Sequence, residues 1–64
     1  MPSDVRLAEV QKLLASAGYN LERIRGSHHI FGKPGALPVS IPVHRGKVKA
    51  FDVRQIEKLI REGQ

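Results

Sequence analysis

The chain has 64 residues and no cysteine, and its 11 basic and 6 acidic side chains give a net charge of +5 with neutral histidines. This length predicts one domain, residues 1–64, with a small core, and the absence of cysteine excludes disulfides and a thiolate zinc site. The first residues lack the layout of a secretory signal, and no apolar stretch approaches the roughly 20 residues that span a bilayer. We therefore expect a soluble cytoplasmic protein that makes no membrane contact.

The first predicted element is a helix over residues 3–17. Ser3 is a typical N-cap residue, and Asp4 suits the positive end of the helix dipole. Gly18 stands where a left-handed C-terminal cap is expected. Apolar side chains recur at three- and four-residue intervals and predict a core-facing stripe: Leu7, Val10, Leu13, Leu14 and Ala17.

Three short strands follow, predicted over residues 19–25, 28–33 and 37–43. Gly26-Ser27 joins the first two strands, and Lys33-Pro34-Gly35-Ala36 joins the next two, so both connections are typical of hairpins. The third strand alternates between apolar residues and more polar ones, which indicates one buried face and one open face. Its prolines, Pro38 and Pro42, cannot donate ladder hydrogen bonds and favour an edge position.

A second helix completes the chain. Asp52 is its predicted N-cap, and the helix is predicted to end near Gly63. Its apolar side comprises Val53, Ile56, Leu59 and Ile60. The order helix–three-stranded antiparallel sheet–helix predicts a two-layer α+β domain.

The basic residues are concentrated in the middle of the chain. No acid lies between Arg23 and Lys49, and this segment contains all three histidines and the following basic residues: Arg23, Arg25, Lys33, Arg45, Lys47 and Lys49. Such segregation favours a polyanionic partner. The alternative interpretation is a basic surface that serves only solubility.

The histidines are the candidate proton-transfer groups, because a histidine side chain ordinarily titrates near neutral pH. His28 and His29 are adjacent, and successive strand residues point to opposite faces, so only one of them can serve a given site. His28 directly follows the Gly26-Ser27 turn, whereas His29 shares its side with Phe31, which favours His28 without settling the choice. His44 ends the third strand on its open face, and an exposed loop histidine is an equally good interpretation.

The segment lacks the ligands of a metal site, because it contains neither an acid nor a cysteine; we therefore predict no cofactor. RNA carries its own nucleophile, the 2′-hydroxyl, so one histidine and a few cations provide much of what its cleavage requires. Two alternatives remain open. The basic segment suits a non-catalytic RNA-binding module, and it also suits a protein that binds an acidic protein partner.

The chain resembles the HicA (YcfA-like) toxins, small messenger-RNA interferases of bacterial and archaeal toxin–antitoxin systems. The resemblance covers nearly the whole chain and is carried by the helix end at residues 13–19, by Arg25-Gly26-Ser27-His28-His29-Ile30-Phe31, and by Val39-Ser40-Ile41-Pro42-Val43-His44 with Gly46-Lys47. It implies a fold similar to double-stranded-RNA-binding domains. It also implies that the histidine after Gly-Ser, here His28, is catalytic, and that a HicB-type antitoxin neutralises the protein.

With this resemblance, the sequence predicts a metal-independent endoribonuclease toxin that cleaves messenger RNA. His28 is its predicted catalytic residue. The candidate RNA contacts are Arg23, Arg25, Ser27, His44, Lys47 and Lys49. We expect the toxin alone to be monomeric and to form a larger complex with its antitoxin.

Overall fold

The computed structural model describes residues 4–63. Their elements are β1 (Val5–Arg6), α1 (Leu7–Ser16), β2 (Asn20–Arg25), β3 (His28–Gly32), β4 (Val39–Pro42), β5 (Lys47–Val48) and α2 (Ala50–Arg61). Strands β2, β3 and β4 form an antiparallel sheet in chain order, which confirms that β4 is an edge strand. The predicted α+β architecture is confirmed, with a double-stranded-RNA-binding-domain-like order of two helices around a three-stranded sheet. An additional two-stranded ladder joins β1 to β5.

Helix α1 begins later than the sequence predicts. The prediction placed residues 3–17 in the helix, whereas the helix spans Leu7–Ser16 and Asp4 precedes it. Ser3, the predicted N-cap, lies outside the described residues. The N-cap position belongs to Arg6, whose side chain makes no capping hydrogen bond.

A distant part of the chain replaces the missing side-chain cap. Arg6 pairs with Lys47 in the β1–β5 ladder, and the next amide, that of Leu7, donates a hydrogen bond of 2.9 Å to the carbonyl oxygen of Gly46. One of the otherwise unpaired first amides of the helix is thereby satisfied. The strand pairing of residues 5–6 therefore decides where α1 starts.

The C-terminal end of α1 is the predicted glycine cap. Gly18 has φ +93, and its amide donates to the Ala15 carbonyl while the Tyr19 amide donates to the Leu14 carbonyl. These two bonds form a Schellman motif, in which a residue with left-handed backbone reverses the chain at the helix end. The reversal carries Tyr19 into the core, where it is 1 % exposed.

Helix α2, in contrast, begins before its predicted cap. Lys49 occupies the N-cap position and Ala50 starts the helix, so Asp52 lies in the first turn instead of capping it. The carboxylate still complements the positive end of the helix dipole from there. The predicted apolar side is confirmed, because Ile56 is buried and Val53, Leu59 and Ile60 pack against the core.

The core lies between the helices and one face of the three-stranded sheet. Its buried side chains are Val10, Leu14, Tyr19, Phe31, Ile41, Val48 and Ile56. Phe31 and Ile41 come from adjacent strands, so the face on which they lie is the covered one. The opposite face of the sheet is available for other contacts.

Candidate nucleic-acid interface

The uncovered face of the β2–β3–β4 sheet, here called the open face, carries His28. Strand residues alternate between faces, and Phe31 of β3 is buried on the core side. His28 and Ile30 therefore lie on the open face. Their partners across the sheet share that face, because directly opposite residues point to the same side.

His28 stands in the middle of a row across the open face. It pairs with Arg25 of β2 on one side and with Pro42 of β4 on the other. Directly opposite side chains have Cβ atoms about 4.5–5.5 Å apart. The next row contains Arg23 and Ser40 on either side of Ile30. His28 therefore has one guanidinium-bearing residue directly beside it and a second diagonal to it.

The two adjacent histidines differ as strand alternation predicts. His28 is exposed, whereas His29 is half-buried and pairs with Ile41 on the core side. The Nδ1 atom of His29 is buried without a hydrogen-bond partner in the described part of the chain. Of these two histidines, His28 is the one on the open face.

Ser27 is held in the turn that precedes His28. Gly26 has φ +59 and is the first of the two turn residues, as in a type II′ hairpin. The Ser27 carbonyl accepts a hydrogen bond of 2.7 Å from the Val43 amide. This bond extends the β3–β4 pairing beyond Pro42 and fixes the start of β3, from which His28 projects.

A second hairpin brings further cations together. His44 and Lys47 exchange two backbone hydrogen bonds of 2.9 Å, and the residues between them, Arg45 and Gly46, have φ 53 and 75, as a type I′ turn requires. Lys47 also pairs with Arg6 of β1. His44, Lys47 and Arg6 therefore form a second row, here called the hairpin row, whose side chains share one side.

Val43 links the hairpin row to the row of His28 along the chain. The Val43 amide bonds to Ser27, and His44 follows Val43, two residues beyond the cross-strand partner of His28, Pro42. In the strand pairing, Arg25 is the direct neighbour of His28, and Lys47 is the direct neighbour of His44.

The structure assigns the remaining candidates to less central positions. Lys49, at the N-cap of α2, is two residues beyond Lys47 and lies at the margin of the hairpin row. Lys33 is half-buried, and its Nζ lies 5.4 Å from the centre of the Tyr19 ring. The sequence did not identify Arg6 as an interface residue, because residue 6 falls within the predicted first helix. Only its pairing with Lys47 brings it to the interface.

One acidic side chain, that of Glu22, lies on the otherwise basic open face. The register shifts between Leu21 and Arg23, and a Cβ built on Gly32 would overlap the Glu22 carboxylate. Gly32 lies on the open face two residues beyond Ile30, so this acid is at the end of the face away from His28. The rows around His28 and His44 contain no acid among the described residues.

Residues 4–63 contain no group of three or more histidine, cysteine or acidic side chains placed to hold a metal ion. Neither described helix is long and apolar enough to cross a membrane.

The fold and the site define a small α+β protein with a basic, histidine-bearing sheet face. The family model described as the HicA toxin of bacterial toxin–antitoxin systems matches residues 7–61, and the chain belongs to this toxin family. Membership implies an antitoxin as its partner. No curated protein and no solved structure matches the chain significantly.

Proposed function

We propose that this toxin is an endoribonuclease that cleaves messenger RNA without a metal ion and that His28 is its catalytic residue. The observation that carries the proposal is the position of His28. The ring is exposed on the open face, directly beside Arg25 in the strand pairing. Family membership supports a nuclease-type activity in general terms, and the residues of this face supply the detail.

In the proposed reaction, one histidine removes the proton of an RNA 2′-hydroxyl. The 2′-oxygen then attacks the adjacent phosphorus, forming a 2′,3′-cyclic phosphate as the bond to the 5′-oxygen breaks. A second group donates a proton to that leaving oxygen. We assign these two roles to His28 and His44, since imidazole both accepts and donates protons near neutral pH and His44 is two residues beyond the cross-strand partner of His28.

The cations around the two histidines have a separate role. Arg25 and Lys47 are direct neighbours of His28 and His44 in the sheet pairing. Guanidinium and ammonium groups stabilise the charge that develops on the phosphate oxygens in the transition state. Arg23, Ser27 and Lys49 then bind the flanking backbone. DNA lacks the 2′-hydroxyl, so this mechanism selects RNA by its chemistry.

We also assign the neutralising partner to the HicB type of antitoxin. The net charge of +5 and the acid-free rows of the interface support a partner with a complementary acidic surface. Such a partner blocks the toxin most directly by covering His28. We expect the toxin to be monomeric by itself and to form a larger complex with the antitoxin.

Cleavage of a labelled single-stranded RNA in a chelator tests the enzyme proposal. We expect the parent protein to cleave and His28→Ala to lose about 10²–10⁴-fold in rate, the usual loss of a general acid or base. His29→Phe is the matched control, because it removes the adjacent histidine from the other face. Cleavage that survives His28→Ala, or that stops in chelator, contradicts the proposal. Salt-sensitive binding without any cleavage identifies a non-catalytic RNA-binding module instead.

A further inference from the structure

A groove runs between the edge strand β4 and helix α2. It encloses about 290 Å³, and its apolar wall includes Ile41, Ile56 and Leu59. Ligand pockets of proteins usually measure about 300–1,000 Å³, so this groove is near the lower limit. Its volume suits a flat fragment such as one nucleobase better than an extended segment of a partner protein.

Polar groups line the same groove. Ser40, Asp52 and Gln55 surround the apolar wall, and the side chains of Ser40 and Gln55 make no hydrogen bond within the described residues. The amide and hydroxyl groups both donate and accept, whereas the carboxylate only accepts. Apolar walls for a ring and polar groups for its edge are the usual composition of a site that orients a heterocycle.

Pro42 connects the groove to the row of His28. It lines the groove and is the direct cross-strand partner of His28 on the open face. In this pairing the Val43 amide bonds to Ser27, so His28 and Pro42 form the closer, non-hydrogen-bonded pair, with Cα atoms about 4.5 Å apart. A nucleotide adjacent to the phosphate at His28 can therefore place its base over the edge of β4.

The free edge of β4 argues against a protein strand as the occupant. Because the Val43 amide points towards β3, alternation turns the backbone groups of Pro38, Ser40 and Pro42 outward. Two of these residues are prolines without an amide proton, so Ser40 offers the only outward donor of residues 38–42. Strand addition needs a series of such donors, whereas the edge of a single base needs only one or two.

We propose that the β4–α2 groove binds one nucleobase of the RNA whose phosphate lies at His28, an inference that rests on the proposed function. The carboxylate of Asp52 favours a base with an exocyclic amino group, because that group donates a hydrogen bond to it. Gln55 and the backbone of Ser40 bind the remaining edge of the base. Adenine satisfies these groups better than uracil, which has no exocyclic amine.

Binding of fluorescent hexa-adenylate and hexa-uridylate to the His28→Ala protein tests this site. We expect hexa-adenylate to bind about fivefold more tightly, and Gln55→Ala to reduce its affinity by about two- to tenfold, the usual effect of one lost hydrogen bond. Glu57→Ala is the control, because Glu57 is exposed on the same helix and does not line the groove. Hexa-adenylate should also shift the Ser40 amide resonance in ¹⁵N spectra.

Each other outcome has one interpretation. The proposed base site is refuted if Gln55→Ala and Glu57→Ala bind hexa-adenylate with equal affinity and the Ser40 amide resonance does not shift. Gln55→Ala that keeps its RNA affinity but loses binding to the antitoxin also overturns it, and assigns the groove to that protein. RNA cleavage by the parent protein is measured separately and tests the nuclease proposal. Base binding without cleavage refutes only the proposed enzyme activity, and cleavage without base binding refutes only the proposed role of the groove.

Discussion

The rows around His28 make a quantitative prediction about the salt dependence of RNA binding. Arg25 is adjacent to His28, and Lys47 lies between His44 and Arg6. Each phosphate contact in single-stranded nucleic acid contributes about 0.7 to the slope of log K against log salt. We expect Arg25→Ala combined with Lys47→Ala, in the His28→Ala protein, to reduce the slope by about 1.4, since two contacts are lost.

Fluorescence anisotropy with a labelled single-stranded RNA measures this slope. Between 50 and 200 mM salt, a difference of about 1.4 in slope means that the protein with both cations loses about sevenfold more affinity than the double variant. Lys12→Ala combined with Lys58→Ala is the matched control, because both lysines are exposed on the helices outside the two rows. If the slope falls when the two helix lysines are replaced by alanine, and does not fall when Arg25 and Lys47 are replaced, RNA binding at the open face is refuted.

Three further substitutions test the fold and the distinction between the histidines. Leu14→Ala empties a fully buried position, so urea denaturation should show a loss of about 2–5 kcal/mol; a much smaller loss contradicts the described packing of α1. Arg45→Asn places a residue that tolerates left-handed backbone at φ 53, and we expect a gain of about 1 kcal/mol, whereas Arg45→Val should be destabilising. His29→Phe removes a buried nitrogen without a partner, so we expect the melting temperature to stay the same or rise and RNA cleavage to be unchanged. A loss of cleavage would indicate that His29 takes part in the reaction.

The sequence predicted those features of the fold that depend on neighbouring residues. Strand alternation separated His28 from His29, and the φ preference of Gly18 marked the end of α1. The two prolines of the third strand correctly indicated an edge. Each of these features follows from the backbone geometry of a few consecutive residues, which a single sequence carries in full.

The misplaced start of α1 and the features that were missed at the interface have a common physical cause. Asp4 resembles a residue of a first helical turn, but residues 5 and 6 pair with a strand more than forty positions later, and that pairing sets the start of α1. The inclusion of Arg6 in the hairpin row and the overlap between Glu22 and Gly32 likewise depend on strand register. Register between distant segments is a property of the assembled sheet, and no local pattern in this chain announces it.

The hydrogen bond from the Leu7 amide to the Gly46 carbonyl also bears on when the hairpin row forms during synthesis of the chain. The ladder that positions this bond requires Val48, and the hairpin row needs Arg6 beside Lys47. Closing so long a loop has an entropic cost that must be met before the contacts across it contribute. A nascent chain therefore cannot complete the hairpin row until Val48 has left the ribosome, so this part of the basic surface forms late in synthesis, after both β2 and β3 are available to pair.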